Sequence, residues 1–262
     1  MRGRGNFQIR LLIGAAIIIF SFIKYCSRSD TNEYTGKRQH ISLTTDEEIR
    51  LGLNSAPEMA RQYGGLYPDQ KAQDLVKKVG NTLVSSTIAK ETPYRYDFHL
   101  LRDPETVNAF ALPGGQVFIT YGLFKRLQNE DQLAGVLGHE IGHVVGRHSA
   151  ERIAKGELTQ GILSGVMAGT DASAAQMAAM VANVINMKYG REDELEADNL
   201  GVKFMIHSGY NPYQFIEVMR ILDEASGGER VPEFSSTHPS GPHRVEEIKA
   251  AIKEYGYTPP PA

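Results

Sequence analysis

The chain has 262 residues, a formal net charge of −3, one cysteine and no tryptophan. That length is enough for one large domain with a sizeable core. The lone Cys26 excludes an intramolecular disulfide, and the absence of a long basic stripe speaks against a nucleic-acid partner.

The first element is apolar. Met1–Arg10 carries Arg2, Arg4 and Arg10, and Leu11–Ile23 (LLIGAAIIIFSFI) runs for thirteen residues without a charge. A spanning helix needs roughly 17–25 residues. Snorkelling of Lys24, with Tyr25 and Cys26 beyond it, brings the segment close to that length. A basic start and a short apolar run also describe a cleaved signal peptide, but no small-x-small cleavage site follows. Tyr25 is too bulky for a lipoprotein signal ending at Cys26. Residues 1–26 are therefore expected to be a membrane anchor or signal segment. Positive residues flank it on both sides, so charge does not set the topology. Residues 27–44, polar and mixed in charge, read as a linker, 45–256 as one domain and 257–262 as a tail.

Within the domain, Thr45 caps a helix with Asp46, Glu47 and Glu48 in its first turn, running to about Tyr63 and stopping at Gly64-Gly65. A second helix starts near Pro68-Asp69 and ends near Ser86, with Leu75, Val79 and Leu83 at spacing four. The period then changes. Tyr96–Leu101, Val107–Ala111 and Gln116–Thr120 read as short strands, the last two joined across LPGG, Leu112–Gly115. Asn129 caps the next helix. Glu157–Ala168 and Ala172–Lys188, rich in Ala, Gly and Met, read as paired core helices, because Asp171, Gln176 and Asn183 interrupt any second span. A helix from about Arg191 to His207 ends at Gly209, and Asn211-Pro212 opens another that closes at Gly227-Gly228. A loop through Ser240 leads to a last helix near Pro242–Tyr255.

The helix capped by Asn129 holds LGHEIGHVVGRH, Leu137–His148, with three of the eight histidines. His139 and His143, at i and i+4, share a face and can bind one metal ion. Glu140 is displaced by one position, where it meets metal-bound water instead of the metal. A solvated surface helix is the competing reading, but this helix is apolar on most sides, and unpaired polar groups there would be costly. A catalytic zinc wants a third protein ligand and an open position. His148 falls one residue short of the long metzincin pattern, which would need a histidine where Ser149 stands. The better source is REDELEAD, Arg191–Asp198, which begins 48 residues after His143. Glu194 and Asp198 share a helix face, so one can ligate while the other accepts the ring N–H of a ligating histidine. Glu192 and Glu196 stay as rival ligands.

Three segments, GHEIGHVVGRH (138–148), ELEAD (194–198) and STHPSGPHR (236–244), resemble the membrane-associated zinc metalloendopeptidases of the gluzincin type, the family that includes HtpX, BepA, LoiP and the CAAX prenyl protease. NAFALPGGQVFITYGL (108–123) resembles that family's strand-turn-strand, and the likeness covers roughly residues 45–250. The resemblance implies an α+β fold: a mainly helical zincin-type domain with a small antiparallel sheet, preceded by the hydrophobic segment. It implies one Zn2+ per chain on His139, His143 and Glu194, with Asp198 behind a ligating histidine and Glu140 as the catalytic base. It places His238 over the zinc with Arg244 close by; His238 either enters the fourth position as a gate or, like Arg244, stabilises the oxyanion. Gln116, Val117, Phe118 and Ile119 are expected to form an edge strand that pairs with an extended substrate; an ordinary core hairpin is the alternative. The implied activity is cleavage of membrane-associated or misfolded envelope proteins from a membrane-anchored, periplasmic position. A zinc-containing protein that holds such clients without cutting them is the rival reading. The chain has one apolar N-terminal segment where HtpX has several spans, and no helical-repeat domain follows as in BepA.

Overall fold

The computed structural model describes residues 3–169, 189–226, 233–238 and 243–259. The helix expected over Ala172–Lys188, the Gly227-Gly228 stop, residues 239–242 of the expected loop through Ser240 and residues 260–262 of the PPPA end lie outside the described residues. The chain divides into two units, Met1–Thr44 with Ala150–Met187, and Thr45–Ser149 with Lys188–Ala262.

In the first unit, α1 (Gly3–Cys26) is a 24-residue helix. At about 1.5 Å per residue it is roughly 36 Å long, longer than its charge-free run. It is long and apolar enough to cross a membrane over Gln8–Cys26. Leu12 (71% exposed) and Phe20 (69%) carry large apolar side chains on its surface. The segment read as a linker contains a small antiparallel pair, β1 (Ser29–Thr31) and β2 (Arg38–His40). Its turn is held by the Asn32 carboxamide, which accepts from the Tyr34 and Thr35 N–H groups. The long helix α6 (His148–Gly169) meets α1 through Gly161 and Gly165. A Cβ at Gly165 would lie 2.6 Å from the Gly14 carbonyl oxygen, so only glycine permits this approach. Glu157 accepts from Arg28 at 2.8 Å beside it.

In the second unit, α2 (Thr45–Gln62) has the expected cap Thr45 as its first helical residue, and α3 (Gln70–Ser85) forms where its cap Asp69 directs it. Asp69 accepts from the Lys71 and Ala72 N–H groups. Gly64 and Gly65, at φ +79° and +86°, end α2. A 3-10 turn (Ile88–Glu91) precedes three strands, β3 (Asp97–Leu101), β4 (Ala109–Ala111) and β5 (Gln116–Thr120). The antiparallel hairpin is β4–β5, with Phe110 opposite Phe118. β3 joins it in parallel, Asp97 opposite Gln116. Gly114 and Gly115 take positive φ in the hairpin turn, and a Cβ at Gly114 would lie 2.4 Å from Ile49 Cα, so the turn docks on α2.

The sheet order is β3-β5-β4. Gln116–Ile119 therefore lies in the central strand, paired on both sides and wholly buried, and the expected free edge there is corrected. The reason is β3, whose partner the local pattern does not reveal. The outer strand on the other side is β4, where Ala109 and Ala111 are buried. Asn108 O and Leu112 N bond to β5, so Ala109 and Ala111 turn their backbone groups outward.

After the single turn α4 (Tyr121–Phe124) comes α5 (Glu130–Val145), capped by Asn129 accepting from Gln132 N–H. Every residue from Gln132 to Val145 is buried. It packs on α3 and β4 and, on its other side, on α7 (Arg191–His207) and α8 (Tyr213–Ser226). A short helix, α9 (Glu233–Thr237), forms in the stretch expected as loop, and α10 (Arg244–Glu254) covers α7. Phe98, Leu83, Leu137 and Ile141 are among the largest fully buried side chains.

Candidate metal centre

Small residues bring α5 and α7 together. A Cβ at Gly142 would stand 2.9 Å from the Ala197 carbonyl oxygen, and one at Gly201 would stand 3.2 Å from the His139 nitrogen. This contact carries the HExxH face onto the acidic face of α7. The Nε2 atoms of His139 and His143 are 3.0 Å apart. Glu194 reaches both, Oε2 at 3.6 Å from His139 Nε2 and Oε1 at 3.4 Å from His143 Nε2. His238, just past α9, completes the group, with Nδ1 3.0 Å from Glu194 Oε1 and 3.3 Å from His139 Nε2. All four residues are buried, and one ligand atom from each lies within 4.8 Å of the others.

These residues fit a divalent cation. Ligand atoms placed tetrahedrally at about 2.0–2.1 Å from one zinc ion stand roughly 3.3 Å apart, close to the spacings among these atoms. The charge balance agrees. Glu140, Glu194 and Asp198 are buried carboxylates, and Arg244 is the one buried guanidinium among them. Glu140 Oε1 has no hydrogen-bond partner, which is costly for a buried oxygen unless a cation or substrate faces it; Glu194 Oε2 makes no hydrogen bond either but has the Arg244 guanidinium 3.1 Å away.

The electrostatics separate the carboxylates. Burial pushes the Glu140 carboxyl up, with His238 and His139 opposing it. Burial also acts to raise Glu194, but the pull of His238 and His143 outweighs it and holds that carboxyl well below the usual range. Burial works the same way on Asp198, and Arg244 with His139 more than offsets it. Burial depresses His143, keeping the imidazole neutral and its lone pair available.

Asp198 Oδ1 lies 2.9 Å from His139 Nδ1, behind the ring as expected. Arg244 packs against the acidic face of α7. Its Nε and Nη2 donate to Asp198 at 2.7 and 2.6 Å, and its remaining nitrogen faces Glu194 Oε2 at 3.1 Å. That remaining nitrogen, Nη1, makes no hydrogen bond. Of the rival ligands, Glu192 is exposed and Glu196 turns to His148. His243 is exposed at the start of α10.

Two aromatic residues had no sequence signal. The Tyr189 ring stacks on His143 with centroids 4.2 Å apart, and Phe234 stacks on His238 at 4.5 Å. Tyr189 lies before a helix cap and Phe234 in a stretch read as loop, so neither sits in a motif.

A buried HExxH helix, a buried carboxylate from a second helix converging on it and a glutamate with a hydrogen-bond-free oxygen beside them fit a metal-dependent peptidase domain. A family model described as Peptidase family M48 matches residues 69–252. The chain belongs to that family and is a metalloendopeptidase, with proteins as its substrates. It is 30% identical over 249 residues to the mitochondrial metalloendopeptidase OMA1 of Schizosaccharomyces pombe, covering 93% of this chain and 71% of that protein. It is 29% identical over 241 residues to the beta-barrel assembly-enhancing protease of Escherichia coli K12, covering 86% of this chain. The chain spans about half the length of that relative, 48%. The OMA1 of Arabidopsis thaliana is 36% identical over 145 residues, 55% of this chain and 29% of that protein.

Proposed function

We propose that the protein is a zinc endopeptidase of a cell envelope, anchored by α1, that cleaves membrane-associated or misfolded envelope proteins. The observation that carries the reading is the convergence of His139, His143 and Glu194 beside an unpartnered Glu140 oxygen. The two imidazoles and the Glu194 carboxylate would hold the zinc. When bound, zinc lowers the pKa of water toward about 7 and polarises a carbonyl oxygen. Glu140, poised high by burial, takes the proton of the attacking water at its free oxygen and returns it to the leaving amine. His238 stands in the fourth place of the ligand group and acts as a gate: it holds the site closed and swings out when substrate enters.

The envelope assignment draws on the exposed apolar surface of α1 and on the similarity to the beta-barrel assembly-enhancing protease of Escherichia coli. The catalytic domain is assigned to a periplasm. The test is metal analysis of purified full-length protein together with digestion of casein and of an unfolded outer-membrane protein, wild type against Glu140→Gln. Zinc-dependent cleavage by the wild type alone is expected. Zinc-loaded wild type that binds the unfolded protein without cutting it would replace this reading with a holding role.

A further inference from the structure

We propose that His148 and Glu196 are positioning residues for the metal centre, fixing the tautomer and ring orientation of His143. The inference rests on the metal reading above and concerns how this chain prepares one ligand. His148 Nδ1 lies 2.9 Å from His143 Nδ1, and His148 Nε2 lies 3.1 Å from Glu196 Oε2. Both rings are buried.

The proton positions follow from hydrogen-bond bookkeeping. A neutral imidazole carries one N–H, and a carboxylate only accepts. Glu196 therefore draws the His148 proton to Nε2 and leaves His148 Nδ1 bare. That bare nitrogen can only accept, so the His143 proton sits on Nδ1. His143 Nε2 is then a lone pair aimed at His139 Nε2 and Glu194. The reverse order fails twice. It would set the His148 Nε2 lone pair against a carboxylate, and it would put the His143 proton in the place a metal must occupy. His139 is arranged more simply, with Nδ1 directly against Asp198. Both histidines are thus backed by a carboxylate of α7, one directly and one through an intervening ring. Such partners fix ring orientation and raise ligand basicity.

The backbone is built for this contact. At about 100° per residue, a continuing helix would turn residue 148 roughly 140° away from residue 143. Instead Arg147 adopts φ +56°, the one non-glycine residue with positive φ among the described residues, and α6 starts anew at His148. Arg147 Nε donates to the buried Glu48 at 2.9 Å, which holds the turn. Gly146 leaves room for the ring, since a Cβ there would lie 2.5 Å from His148 Nε2. A left-handed non-glycine residue costs of order 1–3 kcal/mol and persists where its surroundings over-determine it.

The test measures zinc affinity of the detergent-solubilised full chain by competition with a chelating dye, and melting with and without zinc. His148→Phe keeps a ring and removes the acceptor; Glu196→Leu removes the terminal carboxylate. Both should bind zinc about 10- to 100-fold more weakly while the metal-free protein melts as wild type does. Glu196→Gln keeps an oxygen for the His148 N–H and should restore most of the affinity, which a purely structural role would not predict. In zinc-loaded wild type, imidazole nitrogen NMR should show His148 protonated on Nε2. Wild-type affinity in both His148→Phe and Glu196→Leu, or His148 protonated on Nδ1, overturns the inference. If His148→Phe does not fold, Glu196→Leu decides alone, because the Glu196 side chain is 18% exposed. Wild type that binds no zinc overturns the metal reading itself; wild type that binds while the variants bind equally overturns only this one.

Discussion

Gly142 of α5 and Ala197 of α7 sit so close that a Cβ on the glycine would stand 2.9 Å from the alanine carbonyl oxygen. Backbone cannot yield as a flexible side-chain tip can, so a side chain at 142 forces the helices apart. Gly142→Val should cost about 1–3 kcal/mol and lower bound zinc, because His139 and His143 would lose their reach to Glu194. Thermal melting and metal analysis check this. Wild-type values for both would mean that the helices are not held at this distance.

Glu140 is buried beside the ligand group but has an unpartnered oxygen, as a group that waits for water should. Glu140→Gln preserves its shape. Zinc content and melting should stay near wild type while turnover falls by about 10²–10⁴-fold, the usual worth of a positioned base. Normal turnover in a pure sample would falsify the mechanism.

Glu194→Ala should strip the zinc, whereas Glu192→Ala, on an exposed side chain, should leave it in place. Asp198→Asn should weaken metal binding or activity by roughly 10- to 100-fold through His139. Equal zinc in Glu194→Ala and wild type would discredit the ligand set.

Arg244 gives a test of stability against chemistry. Its fork satisfies Asp198 and faces Glu194, so Arg244→Leu strands buried carboxylates. Breaking a buried pair on one side costs about 3–5 kcal/mol, so the protein should melt markedly earlier. An unchanged melting temperature with a fall in kcat alone would mark Arg244 as an oxyanion donor.

His238 lies within 3.0 Å of Glu194 and 3.3 Å of His139 through the same nitrogen. As a gate it competes with water for the fourth position, so His238→Ala should raise basal proteolysis at equal zinc content. Reduced proteolysis at equal zinc would instead mark it as an oxyanion donor. Peptidase assays with matched metal loading separate the two.

Much of the domain was legible in the sequence because its signals are local. Thr45, Asp69 and Asn129 begin their helices, Gly64-Gly65 and Gly209 end them, and LPGG closes a hairpin. Caps, turns and i,i+4 spacing are properties of a few consecutive residues, so His139 and His143 could be placed on one face, and Glu194 with Asp198 on another, before any fold was known. What those faces met depended on contacts far apart in sequence. Sheet order depended on β3 pairing in parallel with β5, which made Gln116–Ile119 central and left β4 at the edge. Arg244 turned to the α7 carboxylates because α10 packs on α7, and burial forbids leaving those charges alone. On a continuing helix His148 would point away from His143. One left-handed residue, Arg147, ended that helix, and only the tertiary structure, which holds Arg147 on Glu48, could make such a turn stable enough to bring His148 back against His143.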